Sequence, residues 1–95
     1  MEDWDFNENK YWTSPNPESL MFDGYIYGER CVFAISQVAL NDFYGTADTA
    51  DDAITNYLEN SDHVEAIATR FASEFDPNEQ APHYFIDSNE FRRLA

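Results

Sequence analysis

Basic residues are scarce in this chain: five Lys and Arg stand against 19 Asp and Glu among 95 residues, a formal charge of −14. A surface so negative repels nucleic acid and anionic membranes and steers basic partners toward it, so direct nucleic-acid binding is not expected. Cysteine occurs once, at Cys31. That excludes an internal disulfide and a Cys-x-x-Cys metal pair, and it fits a reducing compartment. No run approaches about eighteen apolar residues, the length that spans a bilayer. The first residues, "MEDWDFNENKYW", are acidic and mixed where an export signal is basic and then apolar. Neither membrane insertion nor export is expected.

What is present is aromatic: eight Phe, six Tyr and two Trp. They supply the burial that offsets chain entropy, so the chain is expected to fold, and 95 residues build one core. Residues 1–19 lack a clean period and end in "TSPNPES", whose prolines remove amide donors. They read as an irregular acidic and aromatic arm before a single domain at 20–95. Trp4, Phe6, Tyr11 and Trp12 are costly to leave in water. The arm therefore either lies along its own domain or docks elsewhere.

Residues 20–36, "LMFDGYIYGERCVFAIS", offer two turns, Asp23-Gly24 and Gly28-Glu29. The second leaves strands of adequate length on both sides. Pairing Tyr27 with Arg30 then gathers Phe22, Gly24, Ile26, Cys31, Phe33 and Ile35 on one face. Ser36 can cap a helix through "QVALNDFY", with Val38, Leu40 or Ala39, and Phe43 facing the sheet, and Gly45 supplies a left-handed stop. Thr49 caps a longer segment. In it Ala53, Ile54, Tyr57, Leu58, Ser61, Val64, Ile67, Ala68, Phe71, Ala72 and Phe75 recur every three or four residues. The helix either runs unbroken to Phe75 or bends at "ENSD", residues 59–62, a weak stretch. "HYFID", residues 83–87, reads as a third strand, and Ser88 can cap a last turn. The predicted fold class is α+β: a small antiparallel sheet, hairpin plus C-terminal strand, covered on one face by a short and a long helix.

The stretch from Phe22 to Gly28, "CVFAIS", Leu40, "YG" at 44–45, "YLENSDHVEAIATRF" and "YFIDSNEF" together resemble the bacterial family catalogued as domain of unknown function 1488. The likeness covers residues 20–91. It implies a compact α+β fold with no assigned activity and no site to carry over. The acidic aromatic arm and the extreme charge depart from it.

No constellation spells out catalysis. Asp62, His63 and Glu65 point in different directions on a helix, where a metal pair wants i, i+4 spacing, so His63 reads as solvated. "DTADD" lacks the frame of a calcium loop. Cys31 falls on the inward face, where thiols are inert packing, and Ser36 serves as a cap. Neither an enzyme, a metal nor a cofactor is expected.

The acids themselves carry the functional expectation. Residues 47–67 contain Asp48, Asp51, Asp52, Glu59, Asp62 and Glu65 and neither Lys nor Arg. Asp51 and Asp52 suit the first helical turn, where free amides stabilise negative charge by about 0.3–1 kcal/mol each. Glu59, Asp62 and Glu65, at three-residue spacing in mid-helix, have no such reason and repel one another. Carboxylates along a rigid helix can imitate phosphates and occupy the cleft of a basic nucleic-acid-binding protein. Trp4 and Trp12 would then serve as apolar anchors. Small acidic inhibitors of restriction or CRISPR machinery, acting in the cytoplasm of a bacterial or phage-infected cell, share this size and charge. The rival expectations are a housekeeping adaptor and a protein adapted to a salt-rich cytoplasm; a homodimer is compatible with any of them.

Overall fold

The structure, a computed structural model, describes residues 4–7 and 10–95. Its spine is a hairpin of β3 (Ser19–Ile26) and β4 (Glu29–Ser36), preceded by β1 (Asp5–Phe6) and β2 (Trp12–Ser14). Phe22 lies opposite Phe33 and Ile26 opposite Glu29, so the loop is Tyr27-Gly28, one residue earlier than expected. Both loop residues have positive φ, 51° and 80°. That is the pattern of a type I′ turn, whose twist matches the strands it joins. A Gly28-Glu29 loop would have suited a type II′ turn, with Gly28 alone at positive φ; the observed turn places Gly28 second and Tyr27 first, both left-handed. Every cross-strand partner moves by two positions relative to the expected register, which leaves the faces unchanged because side chains alternate with period two.

Residues before Leu20 are not an irregular arm where described. Phe6 pairs with Gly24 and Trp12 with Met21, so β1 and β2 both line the outer edge of β3. Gly24 is required here: a Cβ would lie 2.8 Å from Phe6 Cδ1. Residues 1–3 and 8–9 of that segment lie outside the described residues.

The helices follow their caps. Ser36 Oγ accepts from the Ala39 amide at 3.0 Å to start α1 (Gln37–Tyr44), and Gly45, φ 73°, ends it. Ala39 and Leu40 are buried, whereas Val38 and Phe43, expected to face the sheet, are exposed. The inward arc of α1 is taken instead by Gln37 and Asn41, for a reason given below. The long helix is two: α2 (Ala50–Glu59) and α3 (Ser61–Glu74). They meet at Asn60, whose φ of −128° and ψ of 31° leave the helical region and whose side chain donates to the Asn56 carbonyl at 2.9 Å. The break falls inside the weak "ENSD" stretch. Ala53, Tyr57, Val64, Ile67, Ala68 and Phe71 still form one buried stripe across it, while Leu58 and Phe75 face outward.

β5 (Tyr84–Ile86) joins β4 in parallel, which makes the sheet mixed instead of wholly antiparallel. The helical crossover between β4 and β5 is what permits parallel pairing. α4 (Ser88–Leu94) is capped by Asp87, not Ser88: Asp87 Oδ1 accepts from the Glu90 amide at 2.9 Å. The result is an α+β fold, five strands and four helices among the described residues. An aromatic stack, Tyr57 on Phe22 on Phe33 on Tyr84, with centroids 5.3, 5.4 and 5.0 Å apart, ties α2 to three strands. No helix is long and apolar enough to cross a membrane among the described residues.

Candidate acidic interaction surface

Between Arg30 and Arg70 the chain carries no Lys or Arg, and this span builds α1, α2 and the first half of α3. Thr49 Oγ1 accepts from the Asp52 amide at 3.0 Å, which fixes Asp51 and Asp52 in the first turn of α2 as expected. Asp51 is exposed and Asp52 half-buried. The break at Asn60 changes the reading of the next three acids. Glu59 closes α2, Asp62 opens α3, and the two no longer share one rod with Glu65. Asp62 thereby gains the favourable end of a helix dipole. Glu59 sits at the unfavourable, C-terminal end of the α2 dipole and is exposed. Glu65 is half-buried and already engaged.

Asp48 has a structural task. Its Oδ1 accepts from Gln37 Nε2 at 3.0 Å and from Asn41 Nδ2 at 3.4 Å. Asn41, 0% exposed, also donates to the Thr49 carbonyl at 3.0 Å and accepts from Asn56 Nδ2 at 3.1 Å and Thr46 Oγ1 at 3.2 Å. This network locks the α1–α2 loop, and it is why α1 turns polar residues inward. Sequence reasoning missed Gln37, Asn41, Thr46 and Asn56. The available signal was the pair of asparagines beside the core residues Leu40 and Tyr57.

The tryptophans do not accompany the acids. Trp4 packs edge-on to Phe33, with ring centroids 5.1 Å apart, and stacks near Phe6 at 5.7 Å, as part of the core. Trp12 pairs with Met21, on the sheet face opposite Phe22 and so opposite α2. It is 38% exposed, and the Arg30 guanidinium lies 6.0 Å over its ring. The aromatic beside α2 is Tyr11, whose half-exposed ring lies 6.2 Å from that of Tyr57. With Leu58, 43% exposed on α2, it supplies apolar surface on the acidic side.

The four arginines are engaged elsewhere, and Lys10, beside Tyr11, is exposed with its charge acting on Asp23. Arg30 pairs with Asp23 at 2.7 Å, and Arg93 bridges Glu74 at 2.8 Å and Glu90 at 2.7 Å. Arg70 donates to the Leu94 carbonyl at 2.6 Å, and Arg92 donates to Asn89 Oδ1 at 3.3 Å. Among the described residues, Asp51, Asp52, Glu59 and Asp62 take part in no ion pair.

His63 is not simply solvated. It is half-buried, with Nδ1 2.7 Å from the Tyr44 hydroxyl and its ring among Phe43, Tyr44 and Phe91. Burial pushes the Tyr44 phenol above its ordinary value, which keeps it neutral in this contact. Cys31 is buried, and burial first and the Glu29 charge second raise its thiol, which suppresses thiolate chemistry. Among the described residues, no three His, Cys, Asp or Glu side chains converge as metal ligands.

No family model, no curated protein and no solved structure matches this chain.

Proposed function

We propose that this chain is a non-enzymatic inhibitor that binds a basic nucleic-acid-binding protein through α2 and the start of α3, in the cytoplasm of a bacterial or phage-infected cell. The observation that supports this reading is the segregation of charge. Among the described residues, Asp51, Asp52, Glu59 and Asp62 stand without ion pairs on a surface whose sequence span holds no cation, although five cations exist elsewhere in the chain. Asp51 and Glu59 are eight residues apart on one helix, about 12 Å at 1.5 Å per residue. Two exposed carboxylate groups at that separation attract a basic cleft electrostatically, an attraction that weakens as salt rises. Tyr11 and Leu58 replace Trp4 and Trp12 as the apolar anchors in this reading. A relationship to domain of unknown function 1488 belongs to the same proposal and contributes no site to it.

The test is affinity capture from a bacterial lysate at low and at high salt, followed by elution with duplex DNA. A captured protein that DNA elutes, and that Asp51→Lys with Glu59→Lys fails to capture, supports inhibition by mimicry. A captured protein that DNA leaves in place, or capture indifferent to both substitutions, removes this surface from the function.

A further inference from the structure

On the side of α1 that meets α4, an open cleft of about 240 Å³ is lined by Ala39, Asp42, Phe43, Ser88 and Arg92. Phe43 projects from α1 as one wall. Its ring is braced edge-on by Tyr44 at 5.0 Å and by Phe91 at 5.3 Å, with His63 5.5 Å away, so the wall exists before any ligand arrives. Across the same cleft stand one carboxylate, from α1, and one guanidinium, from α4. No ion pair joins them, and among the described residues neither pairs with another charge. The Arg92 guanidinium donates a long bond to Asn89 Oδ1, 3.3 Å.

Two opposite charges that line one small cleft without pairing suit a ligand carrying both signs. A simple anion meets the Asp42 carboxylate, and a simple cation meets the Arg92 guanidinium. A zwitterion satisfies each: the guanidinium fork receives a carboxylate through two parallel hydrogen bonds, and the aspartate accepts from an ammonium. The volume lies below the usual range of drug-sized pockets and suits a small ligand. Phe43 and Ala39 favour an apolar side chain over a polar one. We propose that this cleft binds a small apolar α-amino acid by both of its charged groups, independently of the acidic surface.

The experiment is a two-dimensional amide NMR titration of the full chain with leucine, leucine amide and N-acetylleucine at physiological salt. Each derivative lacks one of the two charges. The expected result is a saturable shift with leucine centred on the amides of Asp42, Phe43, Ser88 and Arg92, about tenfold weaker with either derivative, since one lost charged contact is worth about that factor. Asp42→Asn and Arg92→Gln should each weaken leucine similarly while the remaining spectrum keeps its dispersion. No saturable shift with leucine, or equal response to all three probes, overturns the proposal. The probe comparison on the unsubstituted chain decides the matter even where a variant misfolds.

Discussion

Val32 and His83 bind each other from both directions: the Val32 amide donates to His83 Nδ1 at 2.9 Å, and the His83 amide donates to the Val32 carbonyl at 2.9 Å. The imidazole thus stands in for a backbone carbonyl and extends the β4–β5 ladder beyond Tyr84, where it also holds the incoming loop through the His83 carbonyl and the Asn78 amide, 2.8 Å. Only a neutral ring with Nδ1 unprotonated can accept here; the doubly protonated ring has no acceptor. His83→Ala should therefore cost about 1–3 kcal/mol, the price of an orphaned amide. Urea denaturation reads the loss, and native-state exchange should show the Val32 amide exchanging faster than in the parent chain.

Asp23 makes the hairpin sensitive to acid. Burial works to raise its carboxyl, but hydrogen bonds from Asn7 and Arg30, with the charges of Arg30 and Lys10, outweigh it and hold the group below its ordinary 3.8. A folded-state value below the unfolded one means the stabilisation is complete above the ordinary value and fades as pH falls through the folded one. Asp23→Asn should lower stability at neutral pH by about 1–3 kcal/mol and flatten the stability–pH curve below pH 4, as measured by denaturation across pH.

Tyr27 bears a double cost at the hairpin tip. It is 86% exposed and adopts φ 51°, a region that bulky residues avoid and Asn or Gly accept. Tyr27→Asn should raise stability by about 1 kcal/mol by relieving the left-handed strain. A thermal melt checks this, and a lower midpoint would mean that the tyrosine ring is supported by contacts in solution.

Asp48 and Glu59 should behave oppositely although both are exposed acids of the same region. Asp48→Ala removes the acceptor of Gln37 and Asn41 and should cost about 1–3 kcal/mol. Glu59→Lys replaces a negative charge with a positive one at a helix C-terminus and should gain about 0.3–1 kcal/mol. Paired denaturation curves separate them. A residue kept at a cost to its own helix is the one to examine for a role in binding.

What could be read from the chain alone was local. The two faces of the hairpin, the caps Ser36 and Thr49, and the stop at Gly45 all depend on neighbours within a few residues. The turn missed by one residue because Gly28 is compatible with either loop position until the twist of the strands is imposed. Breaking the long helix at Asn60 needs no Gly or Pro; the Asn56 and Tyr57 carbonyls simply accept from the Asn60 amide, and a new helix starts. The non-local features were not legible. β1 and β2 are defined by pairing with β3, β5 takes its direction from the crossover, and Asn41 meets Asn56 only once α1 lies against α2. For the acidic surface, the lack of Lys and Arg between Arg30 and Arg70 was legible, but the grouping of the acids depended on that break, and Trp4 and Trp12 were placed by pairing that no period reveals.

We propose an acidic surface that takes the place of nucleic acid. The most direct measurement is fluorescence anisotropy of a labelled DNA duplex bound to the captured basic protein, with this chain added in increasing amounts at two salt concentrations. Competitive release of the duplex, weaker at the higher salt and lost with Asp51→Lys and Glu59→Lys together, is the predicted result. Anisotropy that stays constant, or rises as a ternary complex forms, would contradict it.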